Sequence, residues 1–99
     1  MRKKLLGVEH PDVATSLHNL AFLYNAQGRY TEAEPLYIQA LEMRKKLLGA
    51  EHPYVATSLN NLARLYQAQG NIPAAVHYLK RGLEIQEKNL TYNLSLIHI

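Results

Sequence analysis

Histidines, carboxylates, glycines and basic triplets are the residues through which this chain could do chemistry, and their spacing decides how far each reading goes. His10 and His52 each precede a proline at the mouth of a predicted helix, where a capping or packing role accounts for them. His18 and His77 have no His, Asp or Glu at i+3 or i+4 to complete a helical ligand pair, so no zinc-type spacing arises, and His98 stands near the chain end. Glu9, Glu32, Glu34, Glu42 and Glu51 fall at predicted caps and outer faces, and no Ser/His/Asp arrangement can be assembled from the spacings. The five glycines are isolated, with neither GxGxxG nor GxxxxGK[ST] among them, which excludes a phosphate cradle of those types. With no cysteine there is no disulfide, thiolate metal site or thiol nucleophile. These patterns predict no enzyme, no cofactor and no metal.

The elements that carry these residues are duplicated. Residues 1–42 laid over residues 43–84 agree at 26 of 42 positions, most densely in MRKKLLG, EHP, VATSL, NLA and AQG. A period of this size marks stacked units, each hiding its apolar face only against a neighbour. Within the first unit Val13, Leu17, Leu20, Ala21 and Tyr24 form one apolar helical stripe, and Val55, Leu59, Leu62, Ala63 and Tyr66 repeat it. Two A helices are therefore expected at about 11–27 and 53–69, ended by Gln27-Gly28 and Gln69-Gly70. A first B helix should open at a Thr31-x-x-Glu34 capping box and run to Gly49, with Ala33, Leu36, Tyr37, Ala40, Leu41, Leu47 and Leu48 on its stripe. The second starts near Pro73 and carries Ala75, Val76, Leu79, Leu83 and Leu90. Ala21, Ala33, Ala63 and Ala75 sit where paired helices must approach closely, and no stretch alternates with the period of a strand.

Composition agrees: 47% hydrophobic and 19% charged residues describe a chain that folds, and the net charge of +3 is mild. The positive charge gathers in Arg2-Lys3-Lys4 and Arg44-Lys45-Lys46, at predicted helix C-termini, where cations complement the helix dipole and stay solvated. No apolar run reaches the roughly 18 residues that span a bilayer, and no signal-peptide core stands in the first 20. The expected setting is the cytoplasm, away from membranes.

Leu17, Leu20-Ala21, Tyr24, Gly28, Tyr30, Ala33, Tyr37 and Ala40-Leu41 resemble the tetratricopeptide signature. The period of 42 residues and the phrase EHPDVATSLHNLAFLYNAQGRYTEAEPLYIQALE resemble the kinesin-light-chain type of that repeat, which is also common in bacterial multi-repeat proteins. The resemblance implies an all-α fold, a right-handed tetratricopeptide solenoid of antiparallel helix hairpins. It divides the chain into the end of a truncated preceding repeat at 1–10, repeat 1 at 11–52, repeat 2 at 53–90 and a tail at 91–99. Repeat 2 departs from the pattern at Ile72, Leu79 and Gly82, which replace two aromatics and an alanine as in a terminal repeat relieved of packing. Leu94 to Ile99 read LSLIHI, one translation frame of a transposase end sequence, and are expected to be non-native, with the chain a bacterial or metagenomic fragment.

The resemblance also implies a function, protein–protein interaction on a concave face lined by the A helices. The polar positions there are His18, Asn19, Phe22 and Asn25 in repeat 1 and Asn60, Asn61, Arg64 and Gln67 in repeat 2. Asn19 and Asn61 match the asparagines that hydrogen-bond the backbone of an extended peptide in several such proteins, and an amide can both donate and accept. Phe22 and Arg64 would add selective contacts. The expected partner is a protein or peptide. Self-association through exposed repeat ends is the second reading; a nucleic-acid role would need a continuous basic inner face, and the A helices offer only Arg64.

Overall fold

The computed structural model describes residues 10–98, with side chains through residue 91. The expected helix end at Met1–Leu6, Gly7, the Arg2-Lys3-Lys4 run and the side chains of the 94–99 tail lie outside the described residues.

The described residues form four helices in succession: α1 (Pro11–Ala26), α2 (Tyr30–Leu48), α3 (Pro53–Ala68) and α4 (Ile72–His98). Among the described residues there is no strand, as the missing alternation predicts. Both A helices begin alike. Pro11 and Pro53 occupy the first helical turn, where a missing N–H costs nothing, and the preceding histidine closes the end. His10 Nδ1 accepts from the Asp12 N–H and His52 Nδ1 from the Tyr54 N–H, each at 3.0 Å. The recurring histidines are thus N-caps. Both A helices also end alike, in a left-handed glycine: Gly28 at φ 77° and Gly70 at φ 83°, after which the Arg29 and Asn71 N–H groups reach back to the Tyr24 and Tyr66 carbonyls.

That turn overrides the expected capping box. Helix α2 already begins at Tyr30, its N-cap is Arg29 with no side-chain capping bond, and Thr31 lies inside the first turn. Glu34 is drawn elsewhere: the Tyr66 hydroxyl donates to its Oε2 at 2.6 Å from the next repeat. Helix α4 likewise overruns the expected end near Leu90 and continues as backbone helix to His98.

Each A helix packs most extensively on its own B helix, α1 on α2 and α3 on α4, while α3 is also seated against α2 and touches α1 lightly. The core runs through this stack, from Ala21, Ala33 and Tyr37 through Leu41, Val55, Leu59, Leu62 and Leu65 to Tyr66, Ala75 and Ile85. All four alanines placed at close approaches are buried. Glu51 ties the α2–α3 connection down: its carboxylate meets Arg81 at 3.0 Å and Lys88 at 3.5 Å, and its carbonyl accepts from the Asn89 amide at 3.0 Å. The neighbouring Arg81 holds this carboxyl below its ordinary range.

Two expectations need correction. The apolar stripes are only partly buried, because Leu20 in repeat 1 and Val76, Leu79 and Leu83 in repeat 2 are exposed, whereas Leu62 and Tyr37 at matching positions are fully enclosed. A stripe position of this kind is covered only by the adjacent repeat. The basic triplet at 44–46 is also not uniformly solvated. Lys45 pairs with Glu42 on the surface at 3.6 Å, but Arg44 is buried, donating to Ser58 Oγ at 2.9 Å and towards the Tyr54 carbonyl at 3.4 Å. Burial draws its guanidinium below the ordinary arginine value, with Tyr54 opposing.

Candidate partner-binding face

The polar positions of α1 and α3 are held by the apolar stripes on the opposite side of each helix, which fix how each helix is rotated. The structure gathers six of the eight residues at two adjoining surfaces and leaves Asn19 and Phe22 outside both. His18, Asn25, Asn61 and Arg64 converge on the seam between α1, α2 and α3. His18 is half-buried, its ring meeting Tyr37 edge-on with centroids 5.5 Å apart. Its Nε2 lies 3.1 Å from Asn61 Nδ2, so with that nitrogen unprotonated the amide donates across the repeat boundary. The Nδ1 of the same ring is buried without a hydrogen-bond partner. Asn25 is half-buried beside the Tyr37 hydroxyl, which burial pushes above the ordinary phenol value while the Asn25 amide and the Arg64 charge act the other way.

The second group lies towards the end of the stack. Asn60, Arg64 and Gln67 form one wall of a groove of about 400 Å³, and Ile72, Ala75, Val76 and Leu79 of α4 form the other. Asn60 is turned inward, its Oδ1 buried and unpaired against Gly82. A Cβ at position 82 would collide with that oxygen, so this glycine makes room for the asparagine and is more than a loosened position. Asn19 and Phe22 stand exposed on α1, apart from the groove. The seam and the groove are two adjoining surfaces that share Arg64.

The seam has a pH consequence. Burial, and secondarily the Arg44 charge, hold His18 below its ordinary value of 6.5. As pH falls through 6.5 the unfolded chain takes up the proton first, so stability is full above that point, is lost down through the folded-state value, and is then level. His18→Asn, which installs the residue found at the matching position 60, should remove this part of the slope. Urea midpoints for both proteins at pH 7.5 and pH 5 measure it, with the smaller fall expected for the variant.

Sequence reasoning missed Arg44 as an interior residue and Tyr66–Glu34 as a bond between repeats. The available signal for the first was that Arg44 continues the α2 stripe, three residues after Leu41 and four after Ala40. Among the described residues no three His, Cys, Asp or Glu side chains gather as a metal site, and no helix is long and apolar enough to cross a membrane. A family model described as tetratricopeptide repeat matches residues 12–88. No curated protein matches the chain.

Proposed function

We infer, because this chain belongs to the tetratricopeptide repeat family, that it is a non-catalytic protein-interaction module gripping a peptide segment or a partner helix on the face of α1 and α3. The observation that carries this is the pair of asparagines, Asn19 and Asn61, presented on successive A helices of a scaffold whose packing leaves them at the surface or its edge. Asn61 commits one amide hydrogen to His18 and keeps its carbonyl oxygen and second hydrogen for a peptide unit. Phe22 is exposed on α1, and Arg64 supplies a cation beside the seam, so the two select among sequences that the amides hold without reading. The period of 42 residues and the 19-residue α2 support assignment to the kinesin-light-chain type. We assign the module to the cytoplasm, with the absence of cysteine as support.

Panning a displayed random-peptide library against the immobilised chain supplies a ligand for titration. Asn19→Ala combined with Asn61→Ala should weaken it about tenfold, the loss of two amide hydrogen bonds at about 1 kcal/mol or less each. Unchanged affinity in a variant with unchanged helicity would move the site to the opposite face or the loops.

A further inference from the structure

Helix α3 already shows how an A helix docks on a preceding repeat. It buries Ser58, Leu62 and Leu65 completely, encloses Ala33, Tyr37 and Leu41 of α2, and adds polar stitches at Asn61–His18, Tyr66–Glu34 and Ser58–Arg44. A shift of 42 residues maps each half of this interface onto a surface of the same chain that has no described neighbour. The docking half maps onto α1, where Ser16 and Asn19 are exposed, Leu20 is 39% exposed and Leu23 51%. The receiving half maps onto α4, where Ala75 forms the floor, Val76 is 49% and Leu79 46% exposed, and Ile72 and Leu83 stand open beside them.

We propose that these two halves join between molecules: α1 of one copy seats in the groove between α3 and α4 of another, head to tail. The internal interface is the template, and the residues it requires recur. Leu20 and Leu23 take the places of Leu62 and Leu65, and they meet Leu79 and Leu83 where those meet Tyr37 and Leu41. Asn19 arrives at Asn60 as Asn61 arrives at His18, amide against amide, each able to donate and accept. The receiving face has also become more apolar, with Val76 in the place of Glu34 and Leu79 in that of Tyr37, which suits an intermolecular contact driven by burial. Two stitches have no counterpart, since Val76 cannot accept from Tyr24 and Gln86 replaces Arg44. The joint is therefore weaker than the internal one and forms as concentration rises. Because the two halves are different surfaces, the contact does not close on itself as a twofold dimer would, and it propagates.

Sedimentation velocity on the whole chain tests this. The wild type should gain mass with concentration and pass beyond the dimer. Leu23→Glu spoils only the docking half and Val76→Glu only the receiving half; both side chains are exposed, so helicity by circular dichroism should be unchanged. Each variant alone should be monomeric. Mixed in equal amounts they should form a dimer and stop there, because the intact α1 of V76E can enter the intact groove of L23E and no further end remains. A wild type that stays monomeric over about a hundredfold concentration range, one that stops at the dimer, or a mixture that does not associate would each overturn the proposal. Both substitutions spare all eight residues of the proposed peptide face, but the joint covers Asn19 and Asn60, so the peptide titration is run on the monomeric Leu23→Glu variant, where either reading can fail without the other.

Discussion

Tyr37→Ala should remove about 3–5 kcal/mol of stability, a large share of the total, whereas Leu79→Ala, at the same position of the second repeat, should be close to neutral. Tyr37 is fully enclosed, its ring against His18 of α1 and within the cluster that joins α2 to Leu62 and Leu65 of α3. Emptying such a site costs about 3–5 kcal/mol through lost burial and the cavity left behind. A small domain has only about 5–15 kcal/mol in total, and two repeats are fewer than the three or so that usually make a comfortable array. Leu79 is half-exposed, so its truncation removes little that water had not already reached, under about 1 kcal/mol. Tyr37→Phe separates the ring from the hydroxyl. That oxygen is buried beside Asn25 without a hydrogen bond of good geometry, so losing it should change stability by less than about 1 kcal/mol. Urea denaturation followed by circular dichroism ranks the three variants, and equal losses at 37 and 79 would contradict the packing described.

Ser58→Ala should cost about 2 kcal/mol, and Ser16→Ala nothing measurable, although the two serines occupy matching places in identical VATSL segments. Ser58 is fully buried and accepts from the Arg44 guanidinium at 2.9 Å. Removing it leaves a buried cation with a long, weak bond to the Tyr54 carbonyl at 3.4 Å and the face of the Tyr54 ring 5.5 Å away. An interior charge deprived of its partner costs about 1–3 kcal/mol, more than the bond itself contributes. Arg44→Met should be milder than that single loss, because it removes the charge together with its need. Adding Ser58→Ala to Arg44→Met should then cost little, so the double-mutant cycle should show coupling of at least about 1 kcal/mol. Additive effects would mean that Arg44 reaches water in solution and that α2 and α3 are held by apolar packing alone.

Read from the chain alone, the repeat of 42 residues, the helix hairpins, the four close-packing alanines and the glycines at the turns were all legible. Each rests on local rules, periodicity and chirality, that hold whatever packs nearby. The residues of the proposed partner face were legible as positions off the stripe, but their division into a seam and a groove was not. That division comes from α3 lying against α2, which draws Asn61 to His18 and leaves Asn60 against Gly82.

Duplicated segments make the boundary plain. Ser16 and Ser58, Leu20 and Leu62, and Leu23 and Leu65 are the same residues in the same local sequence, so no local rule can tell them apart. Only the tertiary structure decides which member of each pair is buried, because burial at these positions is supplied by the adjacent repeat. The same cause moved Arg44 from a solvated helix end to the interior and took Glu34 from its expected cap to the Tyr66 hydroxyl. Sequence by itself determined what each helix could offer; the order of stacking determined what was used.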